Sequence, residues 1–284
     1  MRPPAPRLIA TDLDGTFLRT DGTVSERSAQ VWAALPERGI ETVLVTARPP
    51  RWLHDLEHVV GRHGIAICGN GAFVYAVAER EVIEAHGFDR DVIADIITDL
   101  RAEVPSVTLA TETAVGAFFE TAWAPAREDR TFPMSRGDLD VLLSAPVGKL
   151  LALAPELVTE DFLRTVEDVL AGRGHLAFSG VSGLAEINPL GVTKAAALER
   201  WSAERSVAAE HVWAFGDMPN DLPMIEWAGL GVAVANAHPS VLAAADRVAP
   251  SNDEDGVAVT VEPLLAGRAL PPGSHAHPSG PPSP

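Results

Sequence analysis

The sequence has 284 residues and a formal charge of −17, which leaves no basic surplus for holding nucleic acid or an anionic membrane. That length exceeds what one hydrophobic core usually serves, so two domains are expected. A lone cysteine, Cys68, excludes an intramolecular disulfide, and its setting in Ile65-Ala66-Ile67-Cys68 reads as a small buried hydrophobe. The opening Met1-Arg2-Pro3-Pro4-Ala5-Pro6 lacks the apolar run of a signal peptide, and no apolar segment approaches the length of a membrane span. A cytoplasmic location is the expectation.

In chain order, Leu8-Ile9-Ala10-Thr11 is a short apolar run that empties into Asp12-Leu13-Asp14-Gly15-Thr16. It reads as a buried strand delivering two carboxylates to its end. Strict alternation would point Asp12 and Asp14 the same way, but the Asp-Gly turn bends the chain early and can give each its own task, one attacking and one handling protons. Two anions so close repel unless a cation or a proton is shared, and a hard divalent ion, Mg2+ before others, answers that need. Taken alone, the same residues are compatible with solvated acids in a turn.

Ser25 is placed to cap a helix carrying Val31, Trp32 and Leu35, with Gly39 ending it. The next apolar run, Glu41 to Val45, ends in the Thr46 hydroxyl; Ala47 and Arg48 follow, and Pro49-Pro50 open a helix whose first amides suit a phosphate oxygen. Trp52, Leu53, Leu56 and Val60 lie at helical spacing there and read as core, while His54 and His58 read as a solvated pair without a third metal ligand. Beyond Cys68, Asn70-Gly71 is a turn whose asparagine could also face a substrate, and Phe73 to Val77 with Glu81 to Glu84 form a hairpin.

From 85 to 187 the rhythm changes. A helix over Asp89 to Glu103 precedes runs at Val107 to Ala110 and Val115 to Glu120, a strand at Lys149 to Ala154, a helix at Thr159 to Gly172 and two short strands near 175 to 187. That mixture describes a small α+β unit. From 188 the α/β rhythm resumes. Lys194 falls in the first turn of a helix, where the positive end of the dipole disfavours a cation unless an anion is close, although a lone lysine there also suits a solvated surface. Val212 to Gly216 is a strand followed by Asp217, with Asn220-Asp221 on the next turn. Strands at Leu230 to Ala235 and Arg247 to Ala249 alternate with helices at Pro239 to Ala244 and Gly256 to Leu265. The organisation is a doubly wound α/β core in two halves, 1–84 and 188–268, an insertion at 85–187, and a Pro/Gly/Ser/His tail at 269–284 expected to be disordered.

Four pieces in this order resemble the haloacid dehalogenase (HAD) superfamily of phosphatases, and within it the Cof-type, sugar-phosphatase-like branch with a large cap between the second and third motifs. Asp12-Leu13-Asp14-Gly15-Thr16 matches the first motif, Thr46 the second, Lys194 the third, and Gly216-Asp217 with Asn220-Asp221 the fourth. Asn70-Gly71-Ala72 and Ile187 through Lys194 also look like that branch, and the resemblance spans about residues 7 to 265. It implies a Rossmann-like HAD core with an inserted α/β cap that selects the substrate.

The resemblance also implies a mechanism. Asp12 attacks phosphorus to form an aspartyl-phosphate, while Asp14 donates a proton to the leaving oxygen and later takes one from water. Mg2+ is expected at Asp12, Asp14 through its backbone carbonyl, and Asp217, with Asp221 beside them. Thr46, Ala47 and Arg48 are candidates for binding phosphate oxygens, Lys194 for stabilising developing charge, Asn70 and Asn220 for contacting substrate, and Asn220 with Asp221 for orienting Lys194 or metal-bound water. The branch often has glycine after the hydroxyl residue, and Ala47 here raises the question of whether that position needs a positive φ. The partner implied is a small phosphorylated metabolite, a sugar phosphate first and pyridoxal phosphate or a nucleotide next. Arg127, Arg130 and His175 in the insertion are candidates for leaving-group contacts. A phosphomutase of the same fold and a non-catalytic metabolite-binding protein are the rival readings; the latter predicts a lost motif residue, and none is missing.

Overall fold

The computed structural model describes residues 4–60, 64–124, 135–178 and 180–268. The chain runs β1 (Leu8–Thr11), α1 (Glu26–Ala34), β2 (Glu41–Val45), α2 (Glu57–Val60), β3 (Ile65–Cys68), β4 (Phe73–Ala76), β5 (Glu81–Ala85), α3 (Arg90–Glu103), β6 (Thr108–Thr113) and β7 (Gly116–Glu120). It continues through β8 (Ser135–Gly137), α4 (Leu139–Leu142), β9 (Val147–Leu153), α5 (Thr159–Leu170), β10 (Gly174–Ala177), β11 (Leu184–Pro189) and α6 (Lys194–Glu204). The last elements are β12 (Val212–Gly216), α7 (Leu222–Trp227), β13 (Leu230–Val234), α8 (Pro239–Ala244), β14 (Arg247–Ala249) and α9 (Gly256–Leu265). Arg127, Arg130 and the 269–284 tail lie outside the described residues. No helix among the described residues is long and apolar enough to cross a membrane.

The chain divides into two compact units, one formed by Met1–Leu44, His58–Val60 and Glu199–Pro284, the other by Val45–Glu57 and Gly61–Leu198. In the first, parallel strands lie in the order β14-β13-β12-β1-β2. Leu8, Ile9, Ala10, Val212, Ala214 and Phe215 are fully buried, as expected of parallel strands covered on both faces. The chain leaves β1 toward β2 on one side, and β12 pairs on the other, so strand order reverses at β1. The carboxyl ends of strands beside such a reversal are where α/β sheets gather polar ligands. Ser25 caps α1 by accepting from the Ser28 amide at 2.9 Å, and Gly39 closes the following turn at φ +72°.

The second unit holds the antiparallel set β3-β4-β5 and a six-stranded sheet ordered β10-β11-β9-β6-β7-β8, antiparallel except for the β7–β8 pair. Ile93, Ile96, Ile97 and Leu100 of α3 and Phe162 and Val166 of α5 form one buried cluster with Leu109, Leu150 and Ile187 of the sheet. Side chains alternate along a strand, so Ala110 and Glu112, Lys149 and Leu151, and Leu184 and Glu186 fall on the opposite sheet face.

The segment from Pro50 differs from the sequence expectation. Pro50–Leu56 is a 3-10 helix, and only its continuation is α. A three-residue repeat aligns Pro50, Leu53 and Leu56 in one buried row and puts Trp52 outside it, 38% exposed. His54, read as half of a solvated pair, stacks on the Tyr75 ring at 6.0 Å. The elements β8 and α4 are additions that three and four residues are too few to signal by periodicity. Because the Ser25 cap is a local bond at a half-buried helix start, Ser25→Ala is expected to cost about 1 kcal/mol in denaturant unfolding without altering the folded state.

Candidate active site

In the first unit, the Asp12 amide donates to the Phe215 carbonyl at 2.9 Å, extending the β1–β12 ladder to the point where both strands end in aspartate. The chain then turns tightly through Leu13–Phe17, closed by the Leu18 amide on the Leu13 carbonyl at 2.8 Å. Gly15 makes that turn possible. Its φ is +79°, and a Cβ there would sit 2.4 Å from Asp217 Oδ2. The buried Thr16 hydroxyl donates to Asp217 Oδ1 at 2.8 Å, and the Asp217 carbonyl accepts from the His238 amide at 2.7 Å. Asp221 braces the same turn, its Oδ2 accepting from the Asp217 and Met218 amides at 3.1 and 3.0 Å. Asn236 Nδ2 donates to the Gly15 carbonyl at 2.7 Å, while its Oδ1 accepts from the Asn252 amide at 2.9 Å.

One carboxylate oxygen each from Asp12, Asp217 and Asp221 lies within 4.8 Å of the others, and all three residues are buried. Bare like charges at such separations repel strongly in a buried setting. A set made only of hard oxygen donors fits Mg2+ or another hard divalent cation. Asp14 is exposed and is not one of the three carboxylates of this cluster, and Asn220 is half-buried on the Pro219–Asp221 turn.

In the second unit, Thr46 immediately follows the last residue of β2 and is fully buried. The Arg48 amide donates to Thr46 Oγ1 at 3.1 Å. The turn at 69–71 lies against this loop, with the Asn70 amide on the Thr46 carbonyl at 3.0 Å and the Gly69 amide on the Arg48 carbonyl at 2.9 Å. Ala47 is absent from the residues with positive φ, so an alanine there carries no backbone strain. Asn70 itself takes φ +58°, and its Nδ2 donates to Glu186 Oε2 at 2.9 Å. At Gly71, φ +106°, a Cβ would come within 2.4 Å of the Thr193 carbonyl. Thr193 Oγ1 accepts from the Ala196 amide at 3.1 Å, capping the helix that Lys194 begins, and Lys194 is 3% exposed.

Asp12, Asp217 and Asp221 thus form one cluster, while Thr46, Arg48 and Asn70 share a second set of bonds. His175 sits half-buried on β10. Burial raises the Cys68 thiol far above its ordinary range, as befits a packing residue, and lifts the nearby Tyr75 phenol to about 12. Thr16, Asn236 and Asn252, and in the second unit Lys149, Glu186, Glu112 and Arg51, were not identified as site residues from sequence. Thr16 is adjacent to Gly15 and could have been found by its hydroxyl; the others are joined only by the fold.

A family described as haloacid dehalogenase-like hydrolase matches residues 9–261. The 5-amino-6-(5-phospho-D-ribitylamino)uracil phosphatase YitU of Bacillus subtilis is 30% identical over 89% of this chain and 95% of its own length. The HMP-PP phosphatase of an Enterobacter species is 28% identical over 84% of this chain and 87% of its own. A solved haloacid dehalogenase-like hydrolase from Bacteroides thetaiotaomicron has a TM-score of 0.75 at 27% identity, covering 92% of this chain and 100% of the other.

Gly15→Ala combines a disfavoured φ with an overlap on Asp217. It is expected to lower unfolding free energy by about 1–3 kcal/mol, read from chemical denaturation.

Proposed function

The chain belongs to the haloacid dehalogenase-like hydrolases, with a Rossmann-like core and an inserted α+β cap, and is a hydrolase of phosphate monoesters; on that footing we propose that it is a Mg2+-dependent phosphatase of a small sugar phosphate, acting in the cytoplasm through an aspartyl-phosphate on Asp12. The observation that carries this reading is the buried Asp12–Asp217–Asp221 cluster at the ends of β1 and β12.

Burial and exposure divide the labour of the two acids in the first motif. Asp12, 5% exposed and held by the ladder, is positioned to attack phosphorus as the bond to the leaving oxygen breaks. Asp14, exposed, can exchange protons with solvent, giving one to the leaving oxygen and then taking one from the water that cleaves the aspartyl-phosphate to inorganic phosphate. Asp12, Asp217 and the Asp14 carbonyl would hold Mg2+, with Asp221 as a further oxygen ligand or a brace. When bound, the ion supplies positive charge that lets a carboxylate approach an anionic phosphate. Thr46 and the Ala47 amide bind phosphate oxygens beside Arg48, whose own amide holds the Thr46 hydroxyl, and Lys194 offsets the charge that develops around phosphorus. Asn70 and Asn220 are the remaining candidates for contacting the substrate. For the substrate, the name of the Bacillus relative carries a phosphorylated ribityl chain, a reduced sugar.

The test is phosphate release from a panel of sugar phosphates, nucleotides and pyridoxal phosphate, with Mg2+ and with chelator. Release that needs Mg2+ and favours sugar phosphates is expected, and Asp12→Asn should show no turnover above background. Conversion of a hexose 1-phosphate to its 6-phosphate without release would replace the phosphatase by a mutase. Asp217→Ala should regain part of its activity only at raised Mg2+; full activity at low Mg2+ would displace the metal site.

A further inference from the structure

The carbonyl oxygens of Thr46, Ala47 and Arg48 are each held by a donor. The outer two accept backbone amides from Asn70 and Gly69, bonds that any sequence in this conformation would make. The middle one is different. The Ala47 carbonyl accepts from the Lys149 ammonium at 2.9 Å, a buried charge brought by β9 from 102 residues away in the chain.

The peptide that Lys149 grips joins Ala47 to Arg48, and a peptide is a rigid plane. Its other end is the Arg48 amide, which donates to Thr46 Oγ1 at 3.1 Å. A hydroxyl has one proton and two lone pairs, so accepting from Arg48 occupies a lone pair and leaves the proton to be donated elsewhere. Rotation of this single plane would move both bonds together. Lys149 is itself fixed: Glu186 Oε2 lies 2.6 Å from its ammonium and also accepts from Asn70 Nδ2 at 2.9 Å. The Asn70 amide in turn holds the Thr46 carbonyl, so the bonds close a ring through Lys149, Glu186, Asn70, Thr46 and Ala47. Lys149 and Glu186 are 3% and 5% exposed, and a buried ion pair is a poor choice for stability alone, since well-packed apolar residues do as well or better.

We propose that Lys149 is a positioning residue for phosphate turnover, setting the direction of the Thr46 hydroxyl through the Ala47–Arg48 peptide. The inference rests on the phosphatase reading above and on Thr46 as a phosphate ligand.

The test is a double-mutant cycle on the full chain, reading kcat and KM for phosphate release with the best substrate of the panel. Lys149→Met should lower kcat/KM roughly ten- to a hundredfold, and Lys149→Arg, which keeps a cation, should recover part of it. If Lys149 acts through Thr46, then adding Lys149→Met to Thr46→Val should cost less than about twofold further, because the hydroxyl it directs is already gone. Thermal unfolding and circular dichroism identify the folded variants. Should Lys149→Met alone fail to fold, Lys149→Met with Glu186→Gln removes both charges and takes its place in the cycle. Full activity of Lys149→Met, or a loss that multiplies undiminished in the Thr46→Val background, overturns the proposal while the phosphatase reading stands. A wild type that releases no phosphate from any substrate brings down that reading and this proposal together; an active wild type with an equally active Thr46→Val brings down only this one.

Discussion

Carboxylates repel, and three of them share a buried volume where β1 and β12 end. Much of the first unit can be understood as the means of holding that arrangement. Parallel pairing brings Asp12 level with the end of β12, and the tight turn at Gly15 lets Asp217 approach where a side chain would stand in its way. Neutral donors then share the negative charge: the Thr16 hydroxyl on Asp217, and two backbone amides on Asp221. Asn236 ties the turn to the Asn252 loop, so its position depends on residues from distant parts of the chain. These bonds orient the acids, and they leave net charge that a cation is suited to balance.

The second unit meets a different electrostatic condition. Its six-stranded sheet has helices over one face, and the other face carries Ala110, Leu151 and Leu184 before giving way to Glu112, Lys149 and Glu186. Glu112 and Lys149 are register partners across β6 and β9, and their charges are taken up separately, Glu112 by Arg51 and Lys149 by Glu186. A change from apolar to charged along one sheet face is a change in what that face must meet. The apolar stretch needs only to be covered, whereas the charged stretch requires partners at defined points.

What could be read from the sequence follows from how local each signal is. Asp12, Asp14 and Gly15 are legible because the spacing of a strand, a turn and two acids lies within a few residues. The Ser25 cap is legible for the same reason, whereas Gly39, expected to end that helix, closes a separate three-residue turn after it, because α1 already stops at Ala34 before Pro36. The strand-helix alternation gave the class of both halves of the core. Trp52 misled because four apolar residues fit an α-helical stripe, while the chain adopts a three-residue repeat that turns the tryptophan outward. Lys149 and Glu186 were illegible in a stronger sense. Each lies on a strand of ordinary composition, and their bonds to Ala47 and Asn70 cross 102 and 116 residues. Pairing at that range is a property of topology, which no local pattern encodes.

Asn70 has a consequence of another kind. In a flexible chain an asparagine followed by glycine loses its side-chain amide as ammonia more readily than other asparagines do, and the chain ages at that point. Here the amide nitrogen is held by Glu186, with Asn188 Oδ1 at 3.5 Å, and the residue is 3% exposed. Losing it would break those bonds and set a new carboxylate against the carboxylate of Glu186. The folded protein therefore shields its most perishable dipeptide, and damage at Asn70 becomes a marker of how long a molecule has spent unfolded.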